Sequence, residues 1–213
     1  MKLVVLGATG RTGLLLVRQA LAAGHRVTAY VRGRGDLPEH PDLTVVTGTL
    51  TDAGALAAAF AGADAVVSCL GPANSPTLPF TRQTLMTDTL PVVADAMRTA
   101  GVDRLVVLSA LGVGDSARRT SPLARFAYAT FTRTVYADKA TAEGPLIASE
   151  LDWTLVYPGV LTDGPAKTPA EVRDLAEVDA VPGLPRVTRG EVARVLLGAA
   201  TTGTWSRRIV TVV

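Results

Sequence analysis

The chain opens with a glycine-rich turn that directly joins a short apolar run to an amphipathic stretch. The apolar run ends at Leu6, and the sequence Gly-Ala-Thr-Gly-Arg-Thr-Gly follows, with glycines at Gly7, Gly10 and Gly13. At this spacing the first glycine permits a tight turn, the second lets the backbone approach a pyrophosphate, and the third lets a helix pack closely on the strand. The opening therefore predicts a dinucleotide-binding turn between a strand and a helix. A strand-to-helix turn that binds no ligand is the alternative.

Short runs rich in β-branched and apolar residues alternate with longer amphipathic stretches along the rest of the chain. Strict alternation of strands and helices is typical of an α/β fold with a doubly wound parallel sheet of the Rossmann type. A length of 213 residues with 48% hydrophobic residues indicates one packed domain, residues 1–213. The predicted strands span residues 2–6, 26–31, 43–46, 65–69, 104–108, 152–157 and 208–212, and the predicted helices span residues 13–23, 53–60, 83–100, 136–149 and 191–200.

Composition and charge argue against several classes of partner. The net charge is +2 and the arginines are spread along the chain, which argues against nucleic-acid binding. Two histidines, His25 and His40, and the single Cys69 do not form a zinc-binding pattern, so no metal is expected. No apolar run reaches the roughly 20 residues that span a bilayer, and no signal-peptide layout is present. We expect a cytoplasmic monomer or homodimer that acts on a small molecule and does not bind a membrane.

The end of the second predicted strand indicates which nicotinamide nucleotide is bound. NAD sites usually have an acidic residue there, whereas NADP sites favour an arginine for the 2′-phosphate. Here the strand ends in Val31-Arg32, and the first carboxylate is Asp36. Arg32, helped by Arg11 and Arg34, can form charge-assisted contacts with a phosphate. The sequence predicts NADPH in preference to NADH; a solvated loop arginine is the alternative.

A set of further motifs follows the opening turn in a recognisable order. They lie at residues 7–13, 31–32, 62–67, 101–106, 108–110, 151–154 and 157–159. With them the chain resembles an atypical short-chain dehydrogenase/reductase of the NAD(P)H-binding group, and within it the biliverdin-IXβ reductase/flavin reductase family, over residues 1 to about 200. One departure is visible after the third strand. Where many members have Gly-Asp, this chain has Gly48-Thr49, so an aspartate contact near the adenosine is lost.

The resemblance implies positions for the bound cofactor. The loop after the fourth strand should pass beside the ribose and pyrophosphate, Ser109 should lie near the nicotinamide, and the Pro158-Gly159 pair should line its other side. The implied cofactor-binding residues are Gly7, Thr9, Gly10, Arg11, Thr12, Gly13, Arg32, Thr49, Leu50, Leu70, Gly71, Ser109, Pro158 and Gly159.

The catalytic candidates are Ser109, Tyr136 and Lys139. Short-chain dehydrogenases typically use a Tyr-x-x-x-Lys pair, in which the lysine lowers the pKa of the tyrosine. None of the four tyrosines has a lysine four residues later. Tyr136 and Lys139 are three residues apart on a predicted helix and can share a face. The alternatives are an exposed pairing of Lys139 with Glu143, and a Ser109 that only caps a turn.

Reduction of a conjugated acceptor needs less from the protein, because hydride passes directly from the nicotinamide. We therefore expect an NADPH-dependent reductase of a flavin, tetrapyrrole, quinone or other conjugated small molecule. A non-catalytic NADP(H) sensor and a tailoring ketoreductase or epimerase are the alternatives.

Two segments without a strand-helix pattern are candidates for the substrate side. Residues 118–139 combine aromatic side chains with arginines and can form a lid, or alternatively a helix buried against the sheet or a subunit. Residues 161–187 are rich in proline, glycine and charge, and are expected to be a substrate-facing insertion or else a plain linker.

Overall fold

The computed structural model of the chain describes residues 1–72, 81–164 and 169–213, without the side chains of Ala127, Ala129 and Phe131. Strands and helices alternate through most of these ranges as the sequence predicts. The strands are β1 (Lys2–Leu6), β2 (Arg26–Val31), β3 (Leu43–Thr47), β4 (Ala65–Ser68), β5 (Arg104–Leu108), β6 (Asp152–Pro158), β7 (Val160–Thr162), β8 (Val172–Asp174), β9 (Arg186–Thr188) and β10 (Arg208–Val212). The α-helices are α1 (Arg11–Ala22), α2 (Ala53–Phe60), α3 (Leu85–Ala100), α4 (Pro122–Phe131), α5 (Arg133–Ile147) and α6 (Arg189–Thr202), with 3-10 helices at Gly114–Arg119 and Leu175–Glu177.

The main sheet has eight strands in the order β3-β2-β1-β4-β5-β6-β10-β8. All neighbouring strands are parallel except β8, which runs antiparallel to β10 at the edge. The strand order reverses between β1 and β4, because the chain first builds outward through β2 and β3 and then returns. Ligands of such sheets bind in the crevice beyond the carboxyl ends of the strands at this switch point. The predicted Rossmann-type doubly wound sheet is confirmed.

The sheet has an apolar layer on each face. Along β1, Leu3 and Val5 pack with helices α1 and α6, whereas Val4 and Leu6 pack on the other face with α2, α3 and α5. Because successive side chains of a strand point to opposite faces, a strand covered on both sides is apolar throughout. This is the physical reason why the central strands could be read from the sequence as continuous apolar runs.

Helix α5 is fixed against α3 by one buried side chain. The carboxylate of Asp138 accepts hydrogen bonds from the backbone amides of Met86 and Thr87 at 2.9 Å each and from the Thr87 hydroxyl at 2.7 Å. It therefore caps the first turn of α3, whose own cap residue Thr84 makes no side-chain cap bond. This contact sets the rotation of α5, and with it the direction of the next residue, Lys139.

The boundaries of some elements differ from the prediction. Helix α5 begins three residues before the predicted start, and α4 was not predicted as an element of its own. It begins after Ser121, whose hydroxyl accepts from the Ala124 amide at 3.2 Å, with Pro122 in the first turn. Strand β4 ends at Ser68, so Cys69 lies just beyond it.

The stretch 161–187 holds more regular structure than its composition suggests. It contains the end of β7, strand β8, the second 3-10 helix and the start of β9, which pairs with β7 in a separate two-stranded sheet. Residues 165–168 of this stretch lie outside the described residues. Its predicted role as a substrate-facing insertion stays a prediction. Among the helices of the described residues, none has the length and hydrophobicity needed to span a membrane.

Candidate active site at the carboxyl edge of the sheet

The glycine turn after β1 is so tight that side chains are sterically excluded at two of its positions. Gly7 has a positive φ of 72°, and a Cβ added there would lie 2.7 Å from the carbonyl oxygen of Cys69. A Cβ added at Gly13 would lie 2.2 Å from the carbonyl oxygen of Gly7. Real Cβ atoms do not approach backbone oxygens this closely. The turn therefore needs glycine to bring β1, α1 and the loop after β4 together.

The start of helix α1 has free hydrogen-bond donors. Its cap residue Gly10 offers no side chain, and the first turn contains no acidic residue. By contrast, Asp52, Ser121 and Thr188 cap α2, α4 and α6 with their side chains. Among the described residues no side chain therefore accepts from the first amides of α1, and a helix amino terminus in this state binds anions. The turn and the helix start fit the pyrophosphate of a dinucleotide.

The loop after β2 folds over the glycine turn. A Cβ added at Gly35 would lie 3.0 Å from Cγ2 of Thr9, so this loop touches the turn. Arg32 and Arg34 are exposed in it, and neither forms an ion pair within the described part of the chain. Two unpaired guanidinium groups beside the turn fit a phosphate on the adenosine ribose.

Arg11 is engaged differently from the other two arginines. Its guanidinium pairs with the carboxylate of Asp163, which also accepts a hydrogen bond from Arg189 at 2.7 Å. Asp163 follows β7 and Arg189 begins α6, so this contact ties the start of α1 to the start of α6. The predicted assistance of Arg11 to Arg32 stays a prediction, since the guanidinium is directed to Asp163 here.

Two further predicted segments line the same edge. The Tyr30 hydroxyl donates to the carbonyl oxygen of Thr49 at 2.9 Å, which fixes the loop of Thr49 and Leu50 beside the end of β2. After β4, Leu70 is buried in the core and Gly71 is exposed. The loop of Leu70 and Gly71 directly abuts the glycine turn through the Cys69 carbonyl group described above.

The ends of β5 and β6 bring Ser109 and the Pro158-Gly159 pair together. The amide of Ser109 donates to the carbonyl oxygen of Val156 at 2.8 Å, and the amide of Leu111 donates to that of Pro158 at 2.9 Å. A Cβ added at Gly159 would lie 2.5 Å from the carbonyl oxygen of Pro185, so this turn is also tightly closed. The predicted nicotinamide-side residues therefore share one edge with the glycine turn.

A buried polar cluster, formed by Ser109, Lys139, Glu143 and Tyr157, lies below this edge. The hydroxyls of Ser109 and Tyr157 each donate to the Glu143 carboxylate, one to each oxygen. The Lys139 amine donates to the carbonyl oxygen of Leu108 at 2.9 Å. Lys139 is 6% exposed and Glu143 3%. The alternative of an exposed pair between these two residues is wrong, because their common face of α5 packs against the strand ends.

Burial dominates the electrostatics of this cluster. It raises the pKa of Glu143, while hydrogen bonds from Ser109 and Tyr157 and the charge of Lys139 oppose the rise. Burial lowers the pKa of Lys139, and the charge of Glu143 opposes the fall. The pKa of the Cys69 thiol is raised to about 12 by burial, so this thiol is not a nucleophile at neutral pH.

Tyr136 and Lys139 have separate partners in the structure. The ring of Tyr136 packs against that of Tyr128 with centroids 5.4 Å apart, and both rings lie over Gly112, whose φ is 103°. Burial raises the pKa of Tyr136 to about 12. A lysine-activated tyrosine would instead have a lowered pKa. A catalytic role for Tyr136 stays a prediction without support from its surroundings.

The predicted lid segment 118–139 is divided between two environments. Leu123 and Phe126 on α4 are 70% and 71% exposed, whereas Tyr128 and Tyr136 form the half-buried ring pair. The side chain of Phe131, which the prediction also included, lies outside the described residues. A lid function stays a prediction.

Sequence reasoning missed Glu143, Tyr157 and Asp163 as site residues. The spacing of Lys139 and Glu143, four residues apart on a helix, brings Glu143 into the sequence analysis only as the exposed partner of Lys139 in an alternative. Tyr157 stands at the end of a buried strand next to Pro158, and that position is a signal that could have been used. The residues that the structure describes hold no group of three or more His, Cys, Asp or Glu side chains suited to a metal ion.

Comparison with known proteins agrees with this geometry. The model of the NAD(P)H-binding family matches residues 7–202. The 3-beta-hydroxysteroid dehydrogenase of Mycolicibacterium neoaurum is 38% identical over 65 residues, which cover 30% of this chain and only 18% of that protein. The chain therefore matches less than a fifth of the length of this curated relative.

Two solved structures match nearly the whole chain. The anaerobillin reductase of Escherichia coli O157:H7 is 25% identical, with a TM-score of 0.76 over 100% of this chain and 97% of that one. A short-chain dehydrogenase/reductase of Veillonella parvula in complex with NADP is 19% identical, with a TM-score of 0.80 over 99% and 93% of the two chains. With its Rossmann sheet and the match over residues 7–202, the chain belongs to the NAD(P)H-binding family.

Proposed function

We propose that the chain is an NADPH-dependent reductase of a conjugated small molecule, such as a flavin, a tetrapyrrole or a quinone. The observation that carries this proposal is the buried cluster behind Ser109, which lies at the same sheet edge as the glycine turn and contains no lysine-activated tyrosine. A planar conjugated acceptor takes hydride without a lysine-activated tyrosine, whereas the ketone reduction of typical short-chain dehydrogenases uses one. The similarity to an anaerobillin reductase supports a tetrapyrrole or a related compound.

Different residues of the chain bind the phosphates of the cofactor and orient its nicotinamide ring. The first amides of α1 bind the pyrophosphate, and Arg32 with Arg34 binds the 2′-phosphate. Pro158 and Gly159 limit the nicotinamide on one side, and Ser109 hydrogen-bonds the nicotinamide or the acceptor at the end of β5. When bound, NADPH supplies the hydride. The protein itself provides the binding energy, the orientation and a site from which water is excluded.

Replacing Arg32 by aspartate is expected to raise the Kd for NADPH about 10- to 100-fold and to leave the Kd for NADH nearly unchanged. The substitution removes a charge-assisted contact to the 2′-phosphate and adds repulsion, together about 1.4–2.8 kcal/mol. Titration of protein fluorescence with each nucleotide measures both constants. Arg18→Asp makes the same charge change at an exposed position of α1 and is expected to leave both constants alone. Equal weakening of both nucleotides by Arg32→Asp would contradict the assignment.

Turnover is tested with purified protein, NADPH and a panel of FMN, riboflavin, biliverdin and simple quinones. We expect steady oxidation of NADPH with at least one acceptor, and a slower rate in Ser109→Ala. Tight binding of NADPH without oxidation by any acceptor would contradict the reductase proposal. It would favour a non-catalytic NADP(H) sensor or a tailoring ketoreductase or epimerase with a narrow substrate.

A further inference from the structure

Behind Ser109 lies a buried carboxyl group that the proposed reduction does not yet use. Glu143 is 3% exposed, and its two oxygens have partners at the ends of two neighbouring strands. Oε1 accepts from the Ser109 hydroxyl after β5, and Oε2 accepts from the Tyr157 hydroxyl of β6. Burying a carboxylate is costly when its direct partners are neutral hydroxyls. The surroundings therefore suit a carboxyl group that changes its protonation state.

The protonation state of Glu143 decides which way the Ser109 hydroxyl points. A serine hydroxyl has one proton, and an ionised carboxylate can only accept hydrogen bonds. With Glu143 ionised, Ser109 donates to Oε1 and presents only lone pairs to the site. With Glu143 protonated, the carboxyl group donates to Ser109 and the serine proton becomes available to a ligand. Tyr157 can donate to Oε2 in both states, so the carboxyl group keeps its place.

We propose, building on the reductase function above, that Glu143 is a positioning residue that holds a proton and delivers it through Ser109 to the reduced acceptor. The acceptor gains two electrons with the hydride, and one of its heteroatoms becomes anionic. The O–H bond of Ser109 breaks as its proton moves to that atom, and the O–H bond of Glu143 breaks as its proton moves to the serine oxygen. Ser109 is thereby regenerated, Glu143 is left as a carboxylate, and solvent protonates it after the product leaves.

The groups around the cluster are consistent with this role. The direct partner of the Lys139 amine is the Leu108 carbonyl oxygen, and no ion pair within 4.0 Å joins it to Glu143 among the described residues. Burial also raises the pKa of Glu143, against its bonds to Ser109 and Tyr157 and the charge of Lys139. The titratable groups that act on the cluster from the surrounding elements are Lys139 and Asp138 of α5, Cys69 after β4, Tyr157 of β6 and Asp115 of the first 3-10 helix.

Infrared titration of the ligand-free protein tests the proton on Glu143 without any turnover. We expect a buried-carboxyl C=O band that disappears as the pH rises and is missing in Glu143→Gln. In Tyr157→Phe the band should persist to higher pH, because losing a donor destabilises the ionised form. Tyr128→Phe changes a half-buried tyrosine of the neighbouring ring pair and should leave the band unchanged. The glutamine amide can donate to Ser109 and its carbonyl can accept from Tyr157, so Glu143→Gln preserves the contacts needed for folding.

The pH profile of turnover is the second readout, measured with an acceptor from the panel above. Because the protonated form delivers the proton, kcat should fall as the pH rises through the titration of Glu143. This limb should move to higher pH in Tyr157→Phe. Glu143→Gln should lose the limb and lower kcat about 100-fold, with the KM for NADPH unchanged. A purely structural role would not move the pH profile.

A wild-type protein that shows no buried-carboxyl band at any pH would overturn this role of Glu143. So would a pH profile of kcat that stays in place in Tyr157→Phe. An intact infrared titration without oxidation of NADPH by any acceptor has a different meaning. It would support Glu143 as the proton holder and overturn the reductase function on which delivery to an acceptor depends.

Discussion

Replacing Arg104 by methionine is expected to lower the free energy of unfolding by about 3 kcal/mol. Arg104 begins β5, is 7% exposed, and donates to the carbonyl oxygens of Ala199 and Thr204 and to the Asp152 carboxylate. These contacts join the end of α6 to the start of β6. Methionine fills similar space but leaves the acceptors without a donor.

The size of this effect follows from the burial of the two charges. Removing one partner of a fully buried ion pair costs about 3–5 kcal/mol. The Asp152 side chain is 37% exposed, so water partly compensates its carboxylate and the lower end of the range applies. For a domain of this size the melting temperature should fall by about 6–12 °C.

Denaturant and thermal unfolding followed by circular dichroism measure the loss, with Arg98→Met as the matched control. Arg98 pairs with Asp95 on the exposed side of α3, where the two side chains are 72% and 65% exposed. Such pairs contribute at most about 0.5 kcal/mol. Equal losses in the two variants would show that Arg104 does not join the elements as described.

Replacing Gly13 by alanine is expected to raise the Kd for NADPH about 100-fold, which corresponds to about 2.8 kcal/mol. The added Cβ would meet Gly7 O at 2.2 Å, Gly7 C at 2.9 Å and Ala8 Cα at 3.0 Å. All three are backbone atoms, which cannot rotate away as a side chain can. The start of α1 must therefore move away from β1, and the amides that bind the pyrophosphate move with it. The same strain should cost about 1–3 kcal/mol of stability.

Calorimetric titration with NADPH, beside an unfolding curve for each variant, separates lost binding from lost folding. Gly198→Ala is the control, because this glycine lies within α6 with nothing within 4 Å of an added Cβ. It should stabilise the protein by up to about 1 kcal/mol and leave the Kd unchanged. Gly10→Ala, whose Cβ would meet only Gly7 O at 3.2 Å, should be intermediate. A Gly13→Ala protein that binds NADPH like the wild type would contradict the proposal that this turn and the start of α1 bind the pyrophosphate.

The fold could be predicted because its determinants are local. Val4 and Val5 point to opposite apolar layers, so β1 reads as an unbroken apolar run, and Gly13 is required by its close backbone contact with Gly7 in the same turn. Helix α4 was missed for the opposite reason. Leu123 and Phe126 are exposed on it, so its apolar residues do not mark a buried face.

Site residues could be predicted from the sequence only where they belong to a local motif. The motifs predict Ser109 and the glycine turn, whereas Glu143 enters only as the exposed partner of Lys139 in an alternative, because a spacing of four on a helix fits an exposed pair as well as a buried face. Only the contact between α5 and the strand ends distinguishes the two cases. The ion pair between Arg11 and Asp163 joins residues 152 positions apart, so no local sequence pattern predicts it.

Hydride transfer from NADPH held at the glycine turn is the central claim, and NADPH deuterated at C4 tests it most directly. Two preparations of NADPH are compared, each with deuterium on one of the two faces of the nicotinamide ring. The acceptor is one that is reduced at carbon, so that the transferred deuterium stays in the product. We predict that only one of the two labels slows oxidation and appears in the product, and that Gly13→Ala lowers the rate of transfer about 100-fold at limiting NADPH. Oxidation without deuterium in the product, or at an undiminished rate in Gly13→Ala, would contradict the claim.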